Sequence, residues 1–340
     1  MKSSSELISK QVFSVNAFYT KKQNETKILF FKCLKEKKSE EYFSKKLSKI
    51  WDGLDHKFMD KQLLKLKELV HSNNVEEALN IGRLKKKYDP TMDWIIEDEY
   101  FRLTPESEFQ RFEQRFKNNA ESIYNRSYGS MDSQGETYID NKMKTYNKDV
   151  NQVVSYFDKA GNVIRQVQLS SYLSMIHNTN LTRTGWNQTI GDSKNLDRTS
   201  FIIPYHSFSC PHCLSYQNRV LSLDEVMEKI GETAIDSQGD LLHPNCKCTL
   251  SIYWDSSQKQ TARYTEEESK EFYKLRQKVN TLTLEKSNLR TDMKIYKDLG
   301  DEASADKCRQ RINAINRTIR DIKKDLPTDE LKKQITAIYR

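Results

Sequence analysis

Four of the six cysteines and three of the six histidines fall between residues 206 and 248. The run reads His206-Ser-Phe-Ser-Cys210-Pro-His212-Cys213, then about thirty residues, then His243-Pro-Asn-Cys246-Lys-Cys248. A Cys-x-x-Cys turn can present two sulfurs to one tetrahedral ion, and a second group downstream completes the four ligands that zinc prefers. The downstream His-x-x-Cys-x-Cys offers three donors for two places. Cys210, Cys213 and Cys246 are therefore expected as ligands, with His243 or Cys248 as the fourth. The 32 residues between Cys213 and Cys246 exceed the usual knuckle spacing. The competing reading is a set of reduced cysteines buried in a small core, or a clip formed on oxidation. Two clusters with interleaved histidines favour the metal.

A catalytic zinc keeps one position open for water and has an acid or base beside it. A closed set of thiolates leaves no such position, and the nearby acids Asp224, Glu225, Asp236 and Asp240 form no recognisable motif. The thioredoxin reading fails as well, because no βαβ pattern surrounds Cys210. The expected cofactor is thus a structural zinc. The rest of the chain has no Gly-rich phosphate loop, no H-E-x-x-H and no G-x-S-x-G, so no catalytic residue is assigned. His56, His71 and His177 stand singly and read as surface or core residues. Four acids between Asp93 and Glu99 are interleaved with Trp94, Ile95 and Ile96, the pattern of a helix face.

The elements that must position this cluster follow from patterning. At 36% hydrophobic and 31% charged residues, the chain is leaner in apolar side chains than the average globular domain at about 45–50%. Its 17 Tyr and 14 Phe still exclude a disordered chain. Several small cores in a helix-rich protein are expected, with no membrane span, since no stretch approaches about 20 apolar residues. The N-terminus lacks the apolar segment of a secretory signal, so assembly in a cytoplasm and reduced cysteines are expected.

Helical spacing marks Leu54 to Val70, a segment from Asn74 to Asp89-Pro90, and Ser107 to Tyr124. Residues 127–135 read as a loop. Val153 to Phe157 and Val163 to Val167 read as a β-hairpin about a Gly-containing loop. A short helix, Leu169 to Asn178, is expected next, then polar turns over 180–198. Phe201-Ile202-Ile203 and Leu250 to Trp254 read as strands flanking the cluster. Thr265 with Glu266, Glu267 and Glu268 has the form of an N-cap and capping box. Beyond it Leu275, Val279, Leu282, Leu289, Met293 and Tyr296, then Ile312, Ile315, Ile319, Ile322 and Leu326, mark an antiparallel helical hairpin with coiled-coil-like seams. Two helices alone bury little surface, so the hairpin must dock on the knot domain or on another protein.

Charge is uneven. Residues 1–50 hold twelve Lys against five Glu, residues 262–340 hold nineteen Lys and Arg against fourteen acids, and the middle is about −4. Basic ends suggest contact with a polyanion, against the plainer reading of solvated helix faces.

The stretch Tyr205-His206 through Tyr216-Gln217-Asn218-Arg219-Val220-Leu221-Ser222, followed by His243-Pro244-Asn245-Cys246-Lys247-Cys248, resembles the phage minor capsid protein 2 family. That family is related to the Mu F-like head morphogenesis proteins. Ser171-Tyr172-Leu173-Ser174-Met175, Tyr264-Thr265-Glu266-Glu267 and the charged hairpin agree too, so the similarity covers about 150 to 325. The family often has Gly where Asn218 stands, and Asn tolerates the left-handed φ that Gly adopts freely. Many relatives lack a cysteine at Cys210, and some carry His at Cys213 and Cys248, an exchange that suits a metal position.

The resemblance implies a predominantly helical α+β protein. Its expected parts are a helical N-terminal region (1–148), a Mu F-like α+β domain with the Cys/His knot (149–261), the helical hairpin (262–326) and a tail (327–340). It also implies a non-enzymatic minor capsid protein of a tailed bacteriophage head, active in procapsid assembly or in DNA packaging and ejection. The implied partners are portal, major capsid or scaffold protein, with non-specific DNA contact through the basic N-terminus. The implied location is the capsid interior. The alternatives are a zinc-dependent nuclease or a phage-delivered toxin.

Overall fold

The computed structural model describes residues 4–54, 56–80, 106–128, 137–150, 152–157, 163–205, 209–231, 246, 248–259 and 264–339. It is a helix-dominated α+β protein with one two-stranded and one three-stranded antiparallel sheet among these residues. The chain divides into two compact units, each built from three separate stretches. The first takes Met1–Ala17, Asp55–Gln110 and Ser170–Ser269; the second takes Phe18–Leu54, Arg111–Leu169 and Lys270–Arg340. No described helix is long and apolar enough to cross a membrane.

In the first unit, helix α3 (Lys57–Asn80) runs beside α6 (Leu169–Asn195) in a parallel register. Gln62 Oε1 lies 2.8 Å from His177 Nε2, and Leu66 and Val70 pack with Leu181. Both also approach Gly185, and Asn74 donates to Asp192 at 2.7 Å. Ile8, from the start of α1 (Ser4–Lys35), joins that apolar cluster. Burying each such aliphatic side chain stabilises by about 1.5–3 kcal/mol. Asp192 is fully buried and is met by His71 Nδ1 at 2.7 Å and by Gln188 Nε2 at 2.8 Å, besides Asn74.

Helix α6 overturns the expected short helix followed by turns over 180–198. Thr, Asn and Gly are poor helix formers, and the segment 178–195 is rich in them. Yet Asn178, Thr182, Thr184, Asn187, Gln188, Thr189, Asp192 and Ser193 are all buried. Side-chain hydrogen bonds to distant parts of the chain add to the buried Leu173, Ile176, Leu181, Trp186 and Ile190, and tertiary context overrides propensity.

The three-stranded sheet has order β4-β3-β5, with β3 (Ser200–Ile202) central, β4 (Val220–Ser222) and β5 (Ser251–Ile252). The expected strands at 201–203 and 250–254 are β3 and β5; β4 escaped the sequence reading because only Leu221 of its three residues is buried. Phe201, Ile203, Leu221 and Leu250 close a core with Trp186 and Ile190 of α6 and Val226 of α8 (Leu223–Gly231).

The second unit has an aromatic core. Phe30 of α1 meets Phe43 of α2 (Glu40–Trp51), Tyr124 of α4 (Glu106–Tyr128) and Tyr146 edge-on, and Phe43 stacks on Tyr124 at 4.1 Å. Each such pair adds about 0.5–1.5 kcal/mol beyond burial. Lys27 is buried against Asp292 and donates to Asn147 at 2.6 Å. Burial pulls its pKa down, and Asp292 opposes that shift. Helix α5 (Thr137–Thr145), a π-helical turn (Tyr146–Val150) and the expected hairpin, β1 (Gln152–Phe157) with β2 (Val163–Gln168), complete the middle stretch.

The C-terminal hairpin forms as α9 (Glu266–Leu299) and α10 (Glu302–Asp325). Its capping box is present: Glu268 N–H donates to Thr265 Oγ1 at 3.2 Å, and Thr265 N–H to Glu268 Oε2 at 2.7 Å. Gly300, at φ +84, lets α9 end in a Schellman turn, with Asp301 N–H on Tyr296 O and Gly300 N–H on Lys297 O. On α10 the residues Ala305, Cys308, Ile312, Ile315, Ile319 and Ile322 are buried at alternating steps of three and four. On α9, Val279 and Tyr296 are buried, while Leu275, Leu282, Leu289 and Met293 are half-buried. Arg311 grips Glu285 with two bonds, at 2.6 and 3.2 Å. The seam of α10 is thus covered by this chain itself. Residues 327–340, expected as a tail, carry α11 (Asp329–Tyr339), whose Leu331 and Ile335 are buried.

Within the expected helical N-terminal region, α1 and α2 occupy the basic first fifty residues, where Lys22 donates to Ile50 O and Lys35 to Asp298 O. Several of those lysines therefore serve the fold. The expected helix from Asn74 is the end of α3; residues 81–105, including Pro90 and the acids at 93–99, lie outside the described residues.

Candidate metal centre

Cys210 caps the single turn α7 (Pro211–Leu214): its Sγ accepts the Cys213 N–H at 3.3 Å, and Pro211 occupies the first helical position. The turn drives Cys213 inward, where it is buried, while His212 stays exposed beside the Tyr216 ring. The chain then bends back. Asn218 adopts φ +58 and its N–H donates to Ile203 O at 2.9 Å, locking the knuckle to the end of β3.

The second arm is Cys246 with the segment 248–250, just before β5. Cys248 N–H donates to Cys246 Sγ at 3.4 Å. The backbone is held from α6: Asn178 and Thr182 both donate to Cys246 O, at 2.7 and 2.9 Å, and Trp186 Nε1 donates to Cys248 O at 2.8 Å.

Together the arms bring the sulfurs of Cys213, Cys246 and Cys248 within 4.8 Å of one another, all buried. Cys213 Sγ and Cys246 Sγ are 3.7 Å apart. Four sulfurs placed tetrahedrally about zinc at about 2.3 Å lie roughly 3.8 Å from each other. The residues present therefore fit a tetrahedral metal ion. Cys210 stands outside the mutual trio but interacts with the Cys213 thiol. Cys248, which competed with His243 for the last place in the sequence reading, belongs to the trio. His206 and His243 lie outside the described residues.

Without a metal the clustered sulfurs stay protonated. The Cys213 thiol is held far above its ordinary value, first by its hydrogen bonds with Cys210, Cys246 and Cys248 and then by burial. Cys248 is also raised: Cys213 lowers it, and the bond with Cys246 and burial outweigh that. Crowded, buried sulfurs cannot share out negative charge unaided. A divalent cation among them reverses the balance and deprotonates them. Cys33 and Cys308 are buried outside the cluster.

The α6 donors were missed in the sequence. Their signal was present: 178, 182, 186 and 189 are polar or donor-bearing at steps of four, four and three, one face of a helix. Thr and Asn density had suggested turns instead.

A family model described as Phage minor capsid protein 2 matches residues 70–324, most of the chain. No curated protein and no solved structure matches.

Proposed function

The chain belongs to the phage minor capsid protein 2 family, and on that premise we propose that it is a low-copy, non-enzymatic component of a tailed-phage head. The family makes it a phage head protein whose partners are other virion proteins. In our reading it joins the procapsid beside the portal, contacts portal, scaffold or major capsid protein, and serves assembly or the packaging and ejection of DNA. The match over residues 70–324 carries this reading. The test is mass spectrometry of procapsids and DNA-filled heads purified from infected cells. The chain should be present at a small fraction of the major capsid copy number and should cross-link to portal. Its absence from both particles would overturn the proposal.

We read the cysteine cluster as a structural zinc site held by Cys213, Cys246 and Cys248, with Cys210 or His243 as the fourth ligand. Zinc there would supply a cross-link between the α7 knuckle and the arm that carries Cys246 and Cys248. Four protein ligands would fill a tetrahedron and leave no place for a reacting water, which favours a structural role over a nuclease.

We propose that non-specific DNA contact, if made, is made by the second unit. That unit holds 37 Lys and Arg against 23 Asp and Glu, a net of +14, whereas the first holds 19 against 25, a net of −6. Residues 18–50 and 270–340, the larger part of each basic end, belong to this one unit. Arg317, Arg320 and Lys324 form an exposed row along α10, and Arg290, Lys294 and Lys297 another along α9. Binding to duplex DNA should be independent of sequence and fall steeply with salt, because released counterions drive it.

A further inference from the structure

Among the described residues, the carbonyls of Cys246, Cys248 and Leu250 receive donors from one face of α6 rather than from a neighbouring strand. Asn178 and Thr182 reach Cys246 O, Trp186 reaches Cys248 O, and Thr189 Oγ1 reaches Leu250 O at 3.3 Å. The sheet pairs this arm only from Ser251 onward, where Ser251 and Ile252 face Ile202 and Phe201. The match is geometric. Four residues of helix advance about 6 Å, and two residues of extended chain advance about 6.6 Å. A helix with donors at every third or fourth place therefore meets every second carbonyl of a strand lying along it.

Two donors on Cys246 O occupy both of its lone pairs and hold that carbonyl in place. Two positions on, the Cys248 N–H points at Cys246 Sγ. Buried Asn and Thr are costly without such partners, so their place on α6 is explained by the carbonyls they satisfy. We infer that Asn178, Thr182 and Trp186 are positioning residues for the cysteine cluster. α6 sets the spacing of the Cys246 and Cys248 sulfurs before a metal arrives, and the site's affinity depends on that preset geometry. The inference rests on the metal reading above.

The test uses the full chain loaded with cobalt(II), whose visible spectrum reports tetrahedral sulfur coordination, and zinc affinity from competition with a chromophoric chelator. Thr182→Val removes one donor to Cys246 O and keeps the shape. It should weaken zinc binding by roughly 10- to 100-fold, the usual cost of losing a group that orients a ligand, and should alter the cobalt bands. Thr182→Ser, which restores the hydroxyl, should bind as wild type. Thr189→Val, whose donor serves Leu250 beyond the cluster, should lower stability with the cobalt spectrum unchanged. If Thr182→Val is folded by circular dichroism and matches wild type in affinity and spectrum, the inference falls while the metal site stands. A wild-type chain that takes up neither ion would overturn the metal reading and this inference with it.

Discussion

Replacing Cys246 by Ser tests whether the first unit is held together by a metal ion. The side chain is 1% exposed, its sulfur is 3.7 Å from Cys213 Sγ, and it accepts the Cys248 N–H. Serine leaves both hydrogen bonds from α6 to the residue's carbonyl available, so the perturbation falls on the sulfur. A structural zinc contributes an apparent binding energy of about 10–16 kcal/mol at neutral pH. A whole domain is stable by only about 5–15 kcal/mol. Losing one thiolate from a buried set therefore removes a quantity comparable to the entire margin. Wild-type protein, purified reduced, should carry close to one zinc per chain by elemental analysis. The Cys246→Ser chain should carry essentially none, and residues 200–255 should become open to protease. Chelating the wild type should reproduce that digest. Cys33→Ser and Cys308→Ser, outside the cluster, should keep the full metal content. Metal-free wild type that melts cooperatively and resists protease would refute the reasoning, as would a Cys246→Ser chain with unchanged zinc and melting temperature.

Ile315 is 1% exposed on the α10 seam, so Ile315→Asp should destabilise the second unit by at least about 3 kcal/mol and lower its urea midpoint; an unchanged midpoint would mean that the seam is not packed. Lys27→Met leaves buried Asp292 without its cation and should cost about 3–5 kcal/mol, most of it recovered in the Lys27→Met/Asp292→Leu pair; equal stability of single and double variants in a denaturant titration would contradict this. His177 is buried and its pKa is pushed down from 6.5 to about 4 by desolvation. The folded state therefore binds fewer protons than the unfolded one between these values, and stability must fall as pH drops through that window, by about 2 kcal/mol at pH 5. His177→Gln should flatten this part of the pH–stability curve, and an identical curve would exclude His177 as its source.

Much of the local structure was legible along the chain. The Thr265–Glu268 capping box, the turn at Gly300, the α10 seam and the β1–β2 hairpin are signals carried by neighbouring residues, and each forms where its residues predict. The two cysteine groups and the tract at 243–248 also identified the family, and three of those cysteines, Cys213, Cys246 and Cys248, come together in the structure. These readings succeed because caps, turns and hydrophobic periods act over at most a few residues.

Three things depended on tertiary structure. Cys248 joins Cys213 and Cys246 because α6 holds the carbonyls of Cys246 and Cys248, and no spacing rule states that. The α10 seam could have faced a partner; it is buried because the rest of this chain covers it. Most of all, 178–195 is a helix against its own preferences. Each Thr or Asn costs roughly 0.5–0.7 kcal/mol relative to Ala in a helix, and nothing within a few residues offsets that. The compensation comes from Gln62, His71 and Asn74 on one side and from the carbonyls of 246, 248 and 250 on the other. Those partners lie 61 to 121 positions away, and a hydrogen bond across such a separation leaves no periodic trace in the sequence, because its two ends become neighbours only once the chain has folded.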